Sequence, residues 1–245
     1  MPILSAPRVI ASGRLLAPGA VVVEDGRVAA VLDERPPPGP GHLALDHGVL
    51  APGLIDVQLN GAFGVDLVDA GPEEWDRVVC RLPSTGVTGF LATFISAPID
   101  DLIAAMARAS TARAACQRRP GARILGVHLE GPFLSPRRRG AHDAAHLIDP
   151  TADQVDRLLE AGAGILELLT LAAEREGALE ASKRLAGAGC WCPSATRTRS
   201  QSRSPRRSTR ARAWSPTSST PSAACTTASR GWRARRSATT AWPLA

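Results

Sequence analysis

The chain has 245 residues, 44% hydrophobic and 21% charged, which suits an ordinary soluble protein with a sizeable buried core. Its formal net charge of +6 suggests a nucleic-acid or membrane partner, but the charge is unevenly divided. Residues 1–189 hold 18 of the 29 basic residues and all 23 acidic ones, a net −5, whereas residues 190–245 hold 11 Arg and no Lys, Asp or Glu. No apolar run reaches the ~18 residues of a membrane span, and the start MPILSAPRVIASGRLL lacks the pattern of a secretory signal. The five Cys suggest no disulfide framework, so the cytoplasm is the default compartment.

Residues 8–50 predict a small β module. RVIASGRLL, GAVVVEDGRVAAVLDE and HLALDHGVL are β-rich, with a turn at Asp25-Gly26 and a Pro-rich loop over 35–40. From residue 51 the pattern becomes alternating. Strands are predicted at 53–59, 86–94, 122–130 and 164–172, and helices at 72–82, 98–118, 151–162 and 177–189, with Thr151 as an N-cap. Four βα units imply a parallel sheet with right-handed crossovers, either doubly wound or half of a (β/α)₈ barrel. Half a barrel would leave the strands at 53–59 and 164–172 as unpaired edges.

The last 56 residues break this pattern. They contain no Val, Ile, Phe, Met, Asn, His or Tyr and one Leu, while 20 of them are Ser or Thr. No period of 2 or 3.6 runs through them, so residues 190–245 are expected to be a disordered basic tail without a core. As a selected segment, TRTRSQSRSPRRSTRAR would bind RNA or phosphates by charge.

Two motifs concentrate the polar chemistry: APGLIDVQLNGAFGVDL (51–67) and HLEGPFLSPRRRGAHD (128–143), the latter preceded by TGVTGFLATFISAP (85–98). Alternation along a strand places Ile124, Gly126, His128 and Glu130 on one face, with Glu130 at the C-terminal end where barrel enzymes keep their sites. A carboxylate there can ligate a divalent ion, or it can pair with Arg137, Arg138 or Arg139. Gln58 and Asn60 share a face at the end of the first barrel strand. His128 reads as a satisfied core histidine; His42, His47 and His146 form no constellation, and Cys190-Trp191-Cys192 lacks zinc-site spacing.

Together these motifs resemble N-acetylglucosamine-6-phosphate deacetylase, a metal-dependent family of the amidohydrolase superfamily, over roughly residues 8–189. The resemblance implies a small β-sandwich beside a (β/α)₈ barrel, an amino-sugar phosphate substrate and a homo-oligomer. It implies Glu130 as a metal ligand, Ala141 as a backbone contact to the sugar and His142 as a side-chain contact to it. Gln58 and Asn60 stand where many amidohydrolases carry His-x-His, which favours one divalent ion, Zn²⁺ by preference, and disfavours dihydroorotase-like enzymes.

The family also needs two His ligands after strands five and six and a later catalytic Asp. This chain has no His after His146 and no Asp after Asp156. A one-nucleotide shift accounts for the loss. If each printed codon begins with bases two and three of a proper codon, a printed Thr can hide His, Asp, Asn or Tyr. CWCPSATRTR (190–199) then permits VLVSVGHTDA, and WSPTSSTPSAACTTASRG (214–231) permits MVTHLFNAVRGLHHREPG, both close to the family's patterns. Thr196 and Thr217 fall where the two His belong. The expectation is a frameshifted, inactive deacetylase with its metal weakly held or absent. The competing expectation is an inactive half-barrel whose tail binds nucleic acid.

Overall fold

The computed structural model describes residues 1–193. Residues 3–44 are β structure. Strands β1 (Ile3–Ala6), β4 (Gly19–Glu24), β5 (Arg27–Leu32) and β6 (His42–Ala44) form a mixed sheet in the order β5-β4-β1-β6, while β2 (Val9–Ala11) and β3 (Arg14–Leu16) make a separate hairpin. Asp25 and Gly26 both have positive φ, 49° and 71°, the two-residue turn whose twist matches the strands it joins. The central strand β1 went unpredicted, because four residues ending just before Pro7 show too little of a period. Its pairing is non-local, antiparallel to β4 and parallel to β6. Among the described residues, the second layer of the expected sandwich is no more than the β2–β3 hairpin.

The second sheet contains β7 (Leu54–Leu59), β10 (Val87–Ile95), β11 (Arg123–Glu130) and β12 (Leu166–Thr170), parallel throughout and side by side in chain order. A small hairpin of β8 (Gly61–Ala62) and β9 (Val65–Asp66) precedes the first helix. The helices are α1 (Pro72–Arg81), α2 (Ile99–Cys116), α3 (Ala152–Ala161) and α4 (Ala178–Gly187). Sequential strand order with one crossover helix per step is the barrel order; a doubly wound sheet would reverse from an inner strand. One core cluster draws on all four strands and all four helices, with Phe90, Phe94, Leu129 and Leu169 meeting Trp75, Met106, Leu158 and Leu185. Thr151 caps α3 as expected, accepting from the Gln154 N–H while the Gln154 side chain accepts from Thr151 N–H.

The two sheet edges differ from each other. Among the described residues β7 has no strand beyond it, and Leu54, Ile55 and Val57 are 61%, 48% and 44% exposed. β12 was expected to be bare as well, with ordered chain ending at 189. Instead residues 190–193 run parallel to it. The Trp191 N–H donates to Glu167 O (2.8 Å), the Leu169 N–H to Trp191 O (3.0 Å), and Cys190 is buried. The polar groups on a strand edge favour any nearby segment that can satisfy them. The tail from 194 onward lies outside the described residues.

The bare β7 edge sets an expectation for behaviour in solution. Ile55→Lys should reduce self-association, seen by light scattering, while changing the unfolding free energy from urea titration by no more than about 0.5 kcal/mol. Unchanged scattering would show that this edge does not drive association.

Candidate active site

The site lies at the C-terminal ends of β7, β10 and β11, where the parallel register aligns Ile95, Glu130 and Thr170. Beneath it, β11 departs from strict alternation. Phe90 opposes Ile124 but Leu91 opposes Gly126, so Leu125 has no partner in β10. Ile124 therefore belongs to the helix-side core with Val127 and Leu129, which corrects the expectation that it shares a face with Glu130. Gly126 is required in the packing, since a Cβ there would lie 2.6 Å from Ile165 O.

His128 is a buried, satisfied histidine, as expected. Its Nδ1 lies 3.1 Å from Val57 O, a carbonyl that can only accept, so Nδ1 carries the proton. Nε2 then accepts from the Thr170 hydroxyl at 2.8 Å, and Thr93 Oγ1 stands 3.3 Å from Nδ1. Burial drives its pKa down to about 4 against a partial upward pull from the Val57 carbonyl.

Glu130 is half-buried at the mouth, and its Oε2 accepts a hydrogen bond from Gln58 Nε2 at 2.9 Å. Asn60 turns aside, donating through Nδ2 to Thr93 O at 3.2 Å. Beyond Glu130 the chain turns at Gly131 and buries Phe133 and Leu134, then returns over the mouth through a short turn at Pro136–Arg138. This return brings His142 back, with Nε2 3.9 Å from Glu130 Oε2. A cleft of about 620 Å³ opens between these elements, lined among others by Asn60, Asp66, Glu130, Arg138, Ala141 and His142. Glu130, Ala141 and His142, all singled out in the sequence, thus meet in one cleft. Arg138 and Arg139 also line it, but Arg137 does not.

Two groups went unremarked in the sequence, one lining the cleft and one buried behind it. Asp66 arrives through the β8–β9 hairpin. Ser96 sits just past β10, buried, with its Oγ 2.8 Å from His142 Nδ1. Its segment ISAP was legible as part of a motif, but its partner stands 46 residues away.

The described residues do not complete a metal site. Among them no group of three His, Cys, Asp or Glu side chains could hold an ion. His142 offers no lone pair toward Glu130, because the Ser96 N–H donates to Nδ1 at 3.2 Å and leaves the ring proton on Nε2. Thr196 and Thr217 lie outside the described residues. Cys190 and Cys192 belong to no metal-ligand group among the described residues, and burial holds both thiols above their usual range, that of Cys190 at about 12. His42 is used within the β module, its Nε2 2.8 Å from Ser5 Oγ.

Sequential parallel strands joined by helices, with a polar cleft at their C-terminal ends, make this an α/β scaffold of the kind on which enzymes build their sites. No family model matches the chain. Its curated relatives are amino-sugar phosphate deacetylases, which are hydrolases. N-acetylglucosamine-6-phosphate deacetylase of Bacillus subtilis is 32% identical over 180 residues, covering 72% of this chain and 46% of that protein. N-acetylgalactosamine-6-phosphate deacetylase of Escherichia coli O157:H7 is 35% identical over 141 residues, covering 57% and 37%. Among solved structures, N-acetyl-D-glucosamine-6-phosphate deacetylase from Mycobacterium smegmatis superposes with a TM-score of 0.71 at 33% identity, covering 79% of this chain and 53% of that one. A variant of that enzyme in complex with N-acetyl-D-glucosamine-6-phosphate superposes equally well. The chain spans less than half the length of the curated relatives it matches. None of these relatives supports a nucleic-acid-binding role. Among the described residues, no helix is long and apolar enough to cross a membrane.

The buried His128 fixes a pH dependence. At pH above about 6.5 the ring is neutral in both folded and unfolded chains, and its contribution to stability is complete. Between about 6.5 and about 4 the unfolded chain binds a proton that the folded chain excludes, so stability falls as pH falls. The full loss is about 3 kcal/mol. His128→Gln should cost about 1–3 kcal/mol at neutral pH and flatten this slope, read from urea midpoints at about pH 7.5 and about pH 4.5. An equally steep acid loss in the variant would place the titrating group elsewhere.

Proposed function

We propose that this chain is the first part of an N-acetylglucosamine-6-phosphate deacetylase whose remainder is hidden in another reading frame. The observation that carries the reading is the convergence of Glu130, Ala141 and His142 on one cleft, with the rest of a metal site missing among the described residues. The reaction is amide hydrolysis: water adds to the acetamido carbonyl, the C–N bond breaks, and acetate and the protonated amine of glucosamine 6-phosphate are released. His142 would donate from Nε2 to an oxygen of the sugar, and Ala141 would contact it through its backbone. Arg138 and Arg139 supply positive charge beside the cleft, suited to the substrate's phosphate.

A metal completing this site would need two imidazoles besides Glu130. The printed chain has Thr196 and Thr217 at those positions, and neutral hydroxyls are no substitute. The parallel pairing of 190–193 with β12 supports a fifth barrel strand at this point in the chain, where the shifted frame permits the apolar run VLVSV. The match to an N-acetylgalactosamine-6-phosphate deacetylase keeps the epimeric sugar as a second substrate reading.

Expression of the printed chain beside a frame-restored chain tests the proposal. Each is assayed with N-acetylglucosamine 6-phosphate and N-acetylgalactosamine 6-phosphate in the presence of Zn²⁺. The restored chain should turn over at least one of them, and the printed chain should be slower by on the order of a thousand-fold or more. Comparable turnover by the two chains would overturn the reading of the tail. An inactive restored chain would overturn the assigned substrate class.

A further inference from the structure

Ser96 sits where β10 leaves the sheet, enclosed between the ends of two strands and the loop that returns from β11. Its side chain and its backbone converge on the same atom: Oγ lies 2.8 Å and the amide nitrogen 3.2 Å from His142 Nδ1. The backbone N–H can only donate, so Nδ1 presents its lone pair and the ring proton resides on Nε2. The hydroxyl has a second neighbour in Glu130 O at 3.5 Å, and the shorter distance directs its proton to Nδ1 as well.

The surroundings are shaped for this hydroxyl. A Cβ on Gly131 would fall 2.1 Å from Ser96 Oγ, and Gly131 has a φ of +96°, a conformation that side-chain-bearing residues avoid. The glycine therefore leaves room for the hydroxyl directly behind the strand-end carboxylate. On the far side of the ring, Nε2 has no hydrogen-bond partner among the described residues. The nearest candidate, Glu130 Oε2, is 3.9 Å away and already accepts from Gln58.

We propose that Ser96 is a positioning residue, holding His142 as an Nε2–H donor aimed into the cleft beside Glu130. This corner of the site then selects a ligand that offers an acceptor oxygen and discriminates against one that offers only donors. The inference rests on the deacetylase reading for the identity of that ligand, a sugar phosphate with hydroxyl and carbonyl oxygens. It does not rest on it for the state of the ring.

The test is nitrogen NMR on the full printed chain labelled with ¹⁵N-histidine at about pH 8, with His142 assigned through His142→Gln. The expected signature is a pyridine-type Nδ1 and a pyrrole-type Nε2 for His142. His128 serves as an internal reference of opposite sense, since its Nδ1 donates to Val57 O. Ser96→Ala should move the His142 pair toward values averaged between tautomers and leave the His128 pair in place; Ser96→Thr should preserve the native signature. A pyrrole-type Nδ1 in the unsubstituted chain overturns the proposal, as does an Ser96→Ala spectrum identical to it. Should the alanine variant not fold, the native signature and the threonine variant still decide. Adding N-acetylglucosamine 6-phosphate separates the two claims. A shift of the His142 Nε2–H proton supports both, whereas an intact native tautomer with no response to the sugar retains the Ser96 role and removes the substrate assigned to this cleft.

Discussion

A single buried imidazole ties the four parallel strands together below the site. His128, on β11, donates to the Val57 carbonyl of β7, accepts from the Thr170 hydroxyl of β12 and lies against Thr93 of β10. A charged ring could not occupy this position without losing an acceptor and its solvation at once, and so its pKa is held near 4. The polar floor fixes the relative heights of the strand ends, and the mouth is built on those heights. Glu130 stands two residues beyond His128 on the same strand, and Gln58 follows Val57 by one residue on β7, across β10 from it. The 2.9 Å bond between Gln58 and Glu130 therefore follows from the same register that satisfies the histidine.

The mouth is assembled from distant pieces of chain, and the loop after β11 closes it. Gly131 turns the backbone, Phe133 and Leu134 anchor the loop in apolar surroundings, and the returning segment presents Ala141 and His142 to the cleft. The result is a donor from His142, a carboxylate from Glu130 and two guanidinium groups around one opening. On the proposed reading this set would orient an amino-sugar phosphate, and among the described residues it completes no metal-binding group. The chemistry that activates water in a deacetylase needs ligands that the described residues do not contain.

Much of this was legible in the sequence because the strands and helices announce themselves locally. The GVTGFLATF and ARILGVHLE runs gave their strands to within a residue or two, and Thr151 marked the start of α3. Glu130, Ala141 and His142 were legible through one contiguous motif. What escaped depends on contacts between distant residues. The strand Ile3–Ala6 is defined by partners on both sides rather than by its own four residues. The bulge at Leu125 is invisible to an alternation rule, and it moves Ile124 to the other face. Ser96 acquires its role only when the chain returns 46 residues later. The partner of β12 was missed because composition marked residue 190 as a break, whereas backbone hydrogen bonding extends the sheet to Pro193 regardless of side-chain identity.

The proposed shift of reading frame accounts for both the composition break at 189 and the metal site left incomplete among the described residues, and a reading of the gene's nucleotides across codons 185–220 can check it. In the frame displaced by one nucleotide, the account predicts His codons overlapping those printed as Thr196 and Thr217, within a sequence that continues the apolar pattern of barrel strands. Other residues at both positions, or a stop codon between them, would contradict it and leave residues 190–245 as the protein's own tail.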